Sequence, residues 1–203
     1  LDALSVGDAA EPRTLVSTIV VAGSFYGAFM GSYACDSAAR LKMVLFAAIK
    51  VPMLIVATTG LCLPGFFVFN TVAGLRDAFA RAIRAILAGQ AGSALALASL
   101  APAVRFVYAS GVGHRWALIA NTGIFTLATL AGQMVLLRQY RPLIEEQPRH
   151  RQMLRLWLCL YAFVGTQLGW MLRPFVGAEN LAVTFFREGA FSNAYVAVGQ
   201  LFF

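Results

Sequence analysis

The chain has 203 residues, 60% of them hydrophobic and 12% charged, where a soluble domain carries roughly 25% charge. Its mean hydropathy of +0.73 excludes an ordinary soluble fold, and at this length four to six membrane spans leave no room for a second domain, so one membrane domain over 1–203 is expected. The net charge of +7, from 14 Arg and 2 Lys, lies largely between apolar runs; it reads as loop charge that sets topology and meets anionic lipid headgroups, with no nucleic-acid partner.

Residues 1–13 are polar and are expected outside the membrane. Asp2, Asp8 and Glu11 precede the first apolar run where a secretory signal would carry basic residues, and no Ala-x-Ala cleavage site follows it. The missing initiator Met predicts that numbering begins inside a longer product. Residues 14–35 carry no charge, and a first span is expected over about 14–34. Gly23, Gly27 and Gly31 sit four apart in it, a stripe that lets a neighbouring backbone come close where lipid supplies no hydrophobic drive between helices. The segment 35–50, with Asp36, Arg40, Lys42 and Lys50, reads as a loop or a short helix at the headgroups. A second span is expected over 51–72, inside the uncharged run 51–75. Pro52 would lie in its first turn and Pro64 would kink its middle, with Thr58 and Thr59 placed to satisfy a freed backbone group.

Segment 76–87 differs in kind. Phe79, Ile83, Ile86 and Leu87 share one helical face and Arg76, Asp77, Arg81 and Arg84 gather on the other, the pattern of an amphipathic helix lying in the interface. A third span, rich in Ala, Gly and Ser and holding Pro102 and Arg105, is expected over 90–110. A fourth follows over 116–137, with Asn121 and Gln133 inside it. The stretch 138–155, with five Arg, two Glu and two Pro, reads as a charged loop before a fifth span over 156–172, which contains the pair Gly165 and Gly169. Pro174 should stop that helix. The tail, 175–203, is expected to be interfacial or a partial sixth helix.

Chemistry is sparse. No nucleophile elbow, zinc-protease motif, phosphate loop or dinucleotide fingerprint occurs, and the expected spans hold no Asp, Glu or His, so neither intramembrane proteolysis nor acid-coupled transport is indicated. Cys35, Cys62 and Cys159 read as reduced packing residues, and His114 and His150 as loop residues with no partner pattern, so no metal or cofactor is expected. Arg105 and Arg173, with Lys50, fall toward one side of the membrane, where Asp36, Glu179 and Glu188 would pair with them; a site for an anionic headgroup or a partner carboxylate is the alternative. Gln167 and Trp170 lie one turn apart near the end of the fifth span, as an interhelical bond and a belt anchor. Asn70, Asn121 and Gln133 read as interhelical glue.

The segment from Lys50-Val51-Pro52 to Phe69-Asn70, the stretch Gln167-Leu168-Gly169-Trp170-Met171-Leu172-Arg173-Pro174-Phe175-Val176-Gly177, and then Phe185-Phe186-Arg187 and Ser192-Asn193 resemble a family of uncharacterised bacterial polytopic membrane proteins, some grouped with the Yip-type trafficking proteins of about five spans. The resemblance implies a bacterial inner-membrane location and brings no activity.

The expected fold is therefore an all-α polytopic transmembrane bundle of about five spans with interfacial amphipathic helices. The expected function is a non-catalytic integral subunit or scaffold, not an enzyme, packing with other membrane proteins or with its own copies and with lipid. Gly23, Gly27, Gly31, Gly165 and Gly169 would pack helices, and Arg76, Arg81, Arg84, Arg105, Gln167, Trp170 and Arg173 would meet lipid or a partner. The alternatives are a small anion transporter or channel, with Arg105 and Arg173 lining the path, and a lipid-binding, membrane-shaping protein that uses 76–87. The Arg distribution favours a cytoplasmic N-terminus.

Overall fold

The computed structural model describes residues 11–33, 38–172 and 185–186. Within them the chain is all-α, with no strand: α1 (Pro12–Gly31), α2 (Ala38–Val72), α3 (Phe79–Ala109), α4 (His114–Glu146) and α5 (His150–Leu172), plus one 3-10 turn, Arg76–Ala78, ahead of α3. Four segments, Pro12–Gly31, Leu41–Val72, Arg76–Ala109 and His114–Glu146, are long and apolar enough to cross a membrane. The protein is a membrane helical bundle. The fifth expected span, 156–172, is contained in α5, which is long enough at 23 residues but less apolar, because His150, Arg151, Gln152 and Arg155 occupy its first turns and Gln167 lies further along. The tail 175–203, apart from Phe185 and Phe186, lies outside the described residues, as do Asp36, Arg173, Glu179 and Glu188.

The helices run longer than the apolar runs in the sequence. The segment 35–50 is not a loop or a separate headgroup helix: from Ala38 onward it is the first part of α2, which continues unbroken to Val72. Pro52 is consequently in the interior of α2 and frees the carbonyl of Ala48. Thr58 and Thr59 bond the carbonyls of Leu54 and Ile55, not the Gly60 carbonyl that Pro64 leaves free. Segment 76–87 is not an independent interfacial helix, since all but its 3-10 turn is the opening of α3. Ala88, Gly89 and Gln90 contain no residue that breaks a helix, so the amphipathic pattern continues straight into the apolar one. Most of 138–155 is helical too. It is divided between α4 and α5, leaving residues 147–149 as the turn, and His114 and His150 open helices where loops were expected. Charge at a helix end marks where a helix leaves hydrocarbon, not where it stops. At about 1.5 Å per residue the 33 residues of α4 span about 50 Å, against a core of about 30 Å.

Left-handed glycines end two of the helices. Gly74 (φ 73°) follows α2 and Gly111 (φ 70°) follows α3, each taking the conformation that a side chain resists and that frees the chain to turn. Packing then follows a definite order: α4 lies on α3, α3 on α1, α1 on α2 and α2 on α5, while α2 with α3, and α4 with α5, touch only sparsely. The helices form a curved wall whose two ends, α4 and α5, meet near the turn that joins them and touch sparsely elsewhere. Its buried residues fall into two clusters. The first joins α1, α2, α3 and the first half of α4 around Tyr26, Met30, Val51 and Leu97. The second joins the end of α2, the start of α3, the end of α4 and the start of α5 around Phe66, Tyr140 and Trp157.

Candidate functional site

The glycine stripe of α1 runs against the backbone of α2. A Cβ added at Gly27 would stand 2.8 Å from the Cα of Ala48, one at Gly31 2.8 Å from the Cα of Val44, and one at Gly23 3.2 Å from the Cβ of Pro52. Register falls on α2 as it rises on α1, so the pair is antiparallel and close-packed. Gly165 and Gly169 behave differently. A Cβ at Gly165 would make an ordinary 3.5 Å contact with Thr58, and at Gly169 it would meet nothing within 4 Å among the described residues. A tighter small-residue contact, not singled out in the sequence, joins α3 to α4: a Cβ at Gly89 would come 2.8 Å from that of Leu136, and one at Gly132 would collide with Ser93. These glycines are not four apart on one helix, so spacing alone does not reveal them.

The charged candidates separate to the two ends of the bundle. Arg76, Arg81 and Arg84 lie at the start of α3, and Arg105 near its far end, all exposed. Gln167 and Trp170 are half-buried in the last turns of α5. Arg81 meets the carboxylate of Glu146 end-on, its two Nη atoms donating to Oε1 and Oε2 at 2.6 and 2.7 Å. Arg138, Arg141, Arg149, Arg151 and Arg155 are exposed at the same end. Beneath them His150 is buried against the ring of Tyr140, 5.9 Å between centroids. Burial pushes its imidazole below the usual histidine range and the charge of Arg81 adds to this, while Glu146 acts the other way. Lys50, expected at a membrane face, is buried within α2 with its Nζ 4.9 Å from the centre of the Phe185 ring.

Uncharged polar groups are brought together in two places. In the first core Tyr26 donates to Oδ1 of Asn121 (3.2 Å), and Nδ2 of Asn121 donates to the Tyr108 hydroxyl and to the Ala117 carbonyl (both 2.7 Å). Tyr108 donates in turn to the carbonyl of Met30 at 3.0 Å. This knot ties α1, α3 and α4, and the oxygen and both donors of Asn121 are occupied, as a buried amide requires.

The second place is a cavity of about 400 Å³ among α2, α3, α4 and α5, lined in part by Thr58, Gln90, Ser93, Thr129, Gln133 and Tyr161. It fills the gap between the two buried clusters. Its lining residues Ile55, Ser93, Thr129 and Tyr161 stand near the midpoints of their four helices, so it lies midway along the bundle. None of the residues lining it is charged. Tyr161 donates to Oε1 of Gln90 at 2.9 Å, yet Nε2 of Gln90 and Oε1 of Gln133 have no partner. The sequence shows Gln133 and Gln90 on different helices with nothing to join them; only the packing order makes them neighbours of one space. No family model, curated protein or solved structure matches the chain.

Proposed function

We propose that the protein is a non-enzymatic integral membrane subunit that packs laterally against another membrane helix through the outer face of α4. One observation carries this reading. In the most apolar stretch of α4 only 17% of residues are buried, against 56% in α3. The face left open steps by four, three, four and three residues through Gly123, Leu127, Leu130, Met134 and Leu137, and these four large side chains are 50–62% exposed. That is the spacing of a helix–helix seam. Nothing lies within 4 Å of a Cβ at Gly123, and the Thr122 and Thr126 hydroxyls bond carbonyls of their own helix, so the face asks for close packing rather than polar partners.

The alternatives draw less support. An anion path finds no cation among the residues lining the cavity. A membrane-shaping helix over 76–87 loses its independence, because it continues into α3 and Arg81 is engaged by Glu146. The Arg-rich end, with Arg13 at the start of α1, suits the anionic cytoplasmic leaflet and gives a cytoplasmic N-terminus. The family resemblance suits a bacterial inner membrane.

The test is native mass measurement after mild extraction. A particle heavier than one 21.8 kDa chain, reduced to the single chain by Gly123→Leu together with Leu130→Ala, supports the reading. A wild-type particle of one chain in every mild detergent overturns it.

A further inference from the structure

We infer that the cavity beside α4 and α5 receives one acyl chain of an anionic phospholipid, whose phosphate is held outside it by Arg151 and Arg155. Register on α5 provides the argument. Arg151, Arg155, Cys159, Ala162 and Thr166 follow one another at steps of four, four, three and four, so they form a single stripe of the helix, and all five are exposed. Ala162 and Thr166 also line the cavity. The stripe therefore runs from the Arg-rich end to the cavity's α5 rim. Beside that rim α4 and α5 touch only sparsely. Arg155 and Ala162 are seven residues apart, about 10 Å along the helix. One leaflet's share of the hydrocarbon is about 15 Å, so a chain anchored at the arginines reaches the rim.

The two cations are not engaged elsewhere. Glu145 and Glu146, the carboxylates nearest them in sequence, are held by Arg141 and Arg81, and neither Arg151 nor Arg155 forms an ion pair among the described residues. Like charges one turn apart on a helix disfavour each other. A phosphodiester between them offsets that repulsion and matches the planar guanidinium forks. The cavity, in turn, suits a chain rather than a head. Leu54, Leu97, Phe125 and Leu158 form much of its wall, and no charged residue lines it. Its polar groups are turned elsewhere. Thr58 and Thr129 donate to carbonyls one turn back, and Tyr161 donates to Gln90. The Ser93 hydroxyl lies where a Cβ of Gly132 would stand, and the unpartnered amide atoms of Gln90 and Gln133 are buried. The space, about 400 Å³, is an order of magnitude above the roughly 30 Å³ of one water.

The test uses the full chain in phosphatidylcholine nanodiscs doped with one of two photolabile lipids, a phosphatidylglycerol or a phosphatidylcholine, carrying the same diazirine-tailed chain. Labelled residues are mapped by mass spectrometry. The site predicts that the anionic lipid labels Phe125 and Leu158 about tenfold more than the zwitterionic one. Arg151→Gln together with Arg155→Gln, both exposed so that folding is not at stake, should abolish that preference. Arg138→Gln together with Arg141→Gln removes as much charge from the same end on α4 and should leave the preference within about twofold. Ala162→Trp, at the rim, should lower labelling of Phe125 by the anionic lipid about fivefold, and Gly123→Leu should leave it unchanged. Equal labelling by the two lipids, labelling confined to the outer face of α4, preference retained without Arg151 and Arg155, or preference lost equally in the α4 double variant would overturn the proposal.

Discussion

Asn121 and Gln133 are amides on the same helix, twelve residues apart, and they meet opposite circumstances. The Asn121 side chain is bonded to a tyrosine from α1, a tyrosine from α3 and a carbonyl of its own helix. Gln133, beside the cavity, leaves its oxygen buried without a partner. The first region is closed by glycines that bring α1 within backbone contact of α2; the second is where α4 and α5 fail to close. An amide fully engaged is part of what holds the bundle, and its loss exposes its partners. An amide whose oxygen stays unpaired contributes less to folding.

That contrast can be broken most forcefully at Gly27. Leu there must force α1 and α2 apart, and overpacking of this kind costs about 3 kcal/mol; thermal unfolding in nanodiscs should show the largest loss of any variant considered. Asn121→Leu comes next. It strands the Tyr26 hydroxyl and removes a bond to Tyr108, so a loss of about 2 kcal/mol is expected, because unsatisfied buried groups cost more than the bonds themselves are worth. A loss below about 0.5 kcal/mol would deny the knot its structural role.

The third effect is smaller and depends on pH. His150 is buried with Nδ1 unpartnered and its folded pKa lies below the usual 6.5. The unfolded chain therefore takes up a proton first. Stability should be level above pH about 6.5 and should fall as pH drops below it toward the folded value. His150→Phe should flatten that slope; a slope unchanged by this substitution would assign it to another group. The smallest effect is at Gln133. Replacing it with Leu removes a group whose oxygen is already unpaired, so stability should shift by less than about 0.5 kcal/mol, in either direction. A loss as large as that of Asn121→Leu would erase the distinction between the two regions.

The sequence made the class and the four long apolar segments legible, because a run of uncharged residues near 20 has few other uses. It also exposed the stripe Gly23, Gly27 and Gly31, because four-residue spacing within one helix is visible along a line. Helix ends were read short. Lys42 and Arg141 look like loop residues by charge and Arg84 like part of a separate interfacial helix, yet each lies in a helix that outruns the hydrocarbon. The seam of Gly89 with Gly132, the three-helix knot at Asn121 and the cavity at Gln90 and Gln133 were hidden for one reason. Each depends on which helix neighbours which, and α3 lies between α4 and α1 through packing that no local pattern encodes.

The central claim is that these helices cross hydrocarbon, with their midpoints inside it and the Arg-rich end at one face. Nitroxide labels placed singly at Thr129 and at Arg151, in a chain whose cysteines are replaced, measure it directly through relaxation by dissolved oxygen and by a water-soluble nickel chelate. The account predicts that the label at 129 responds to oxygen and hardly to nickel, and that the label at 151 does the reverse. Equal access of nickel to both positions would contradict it.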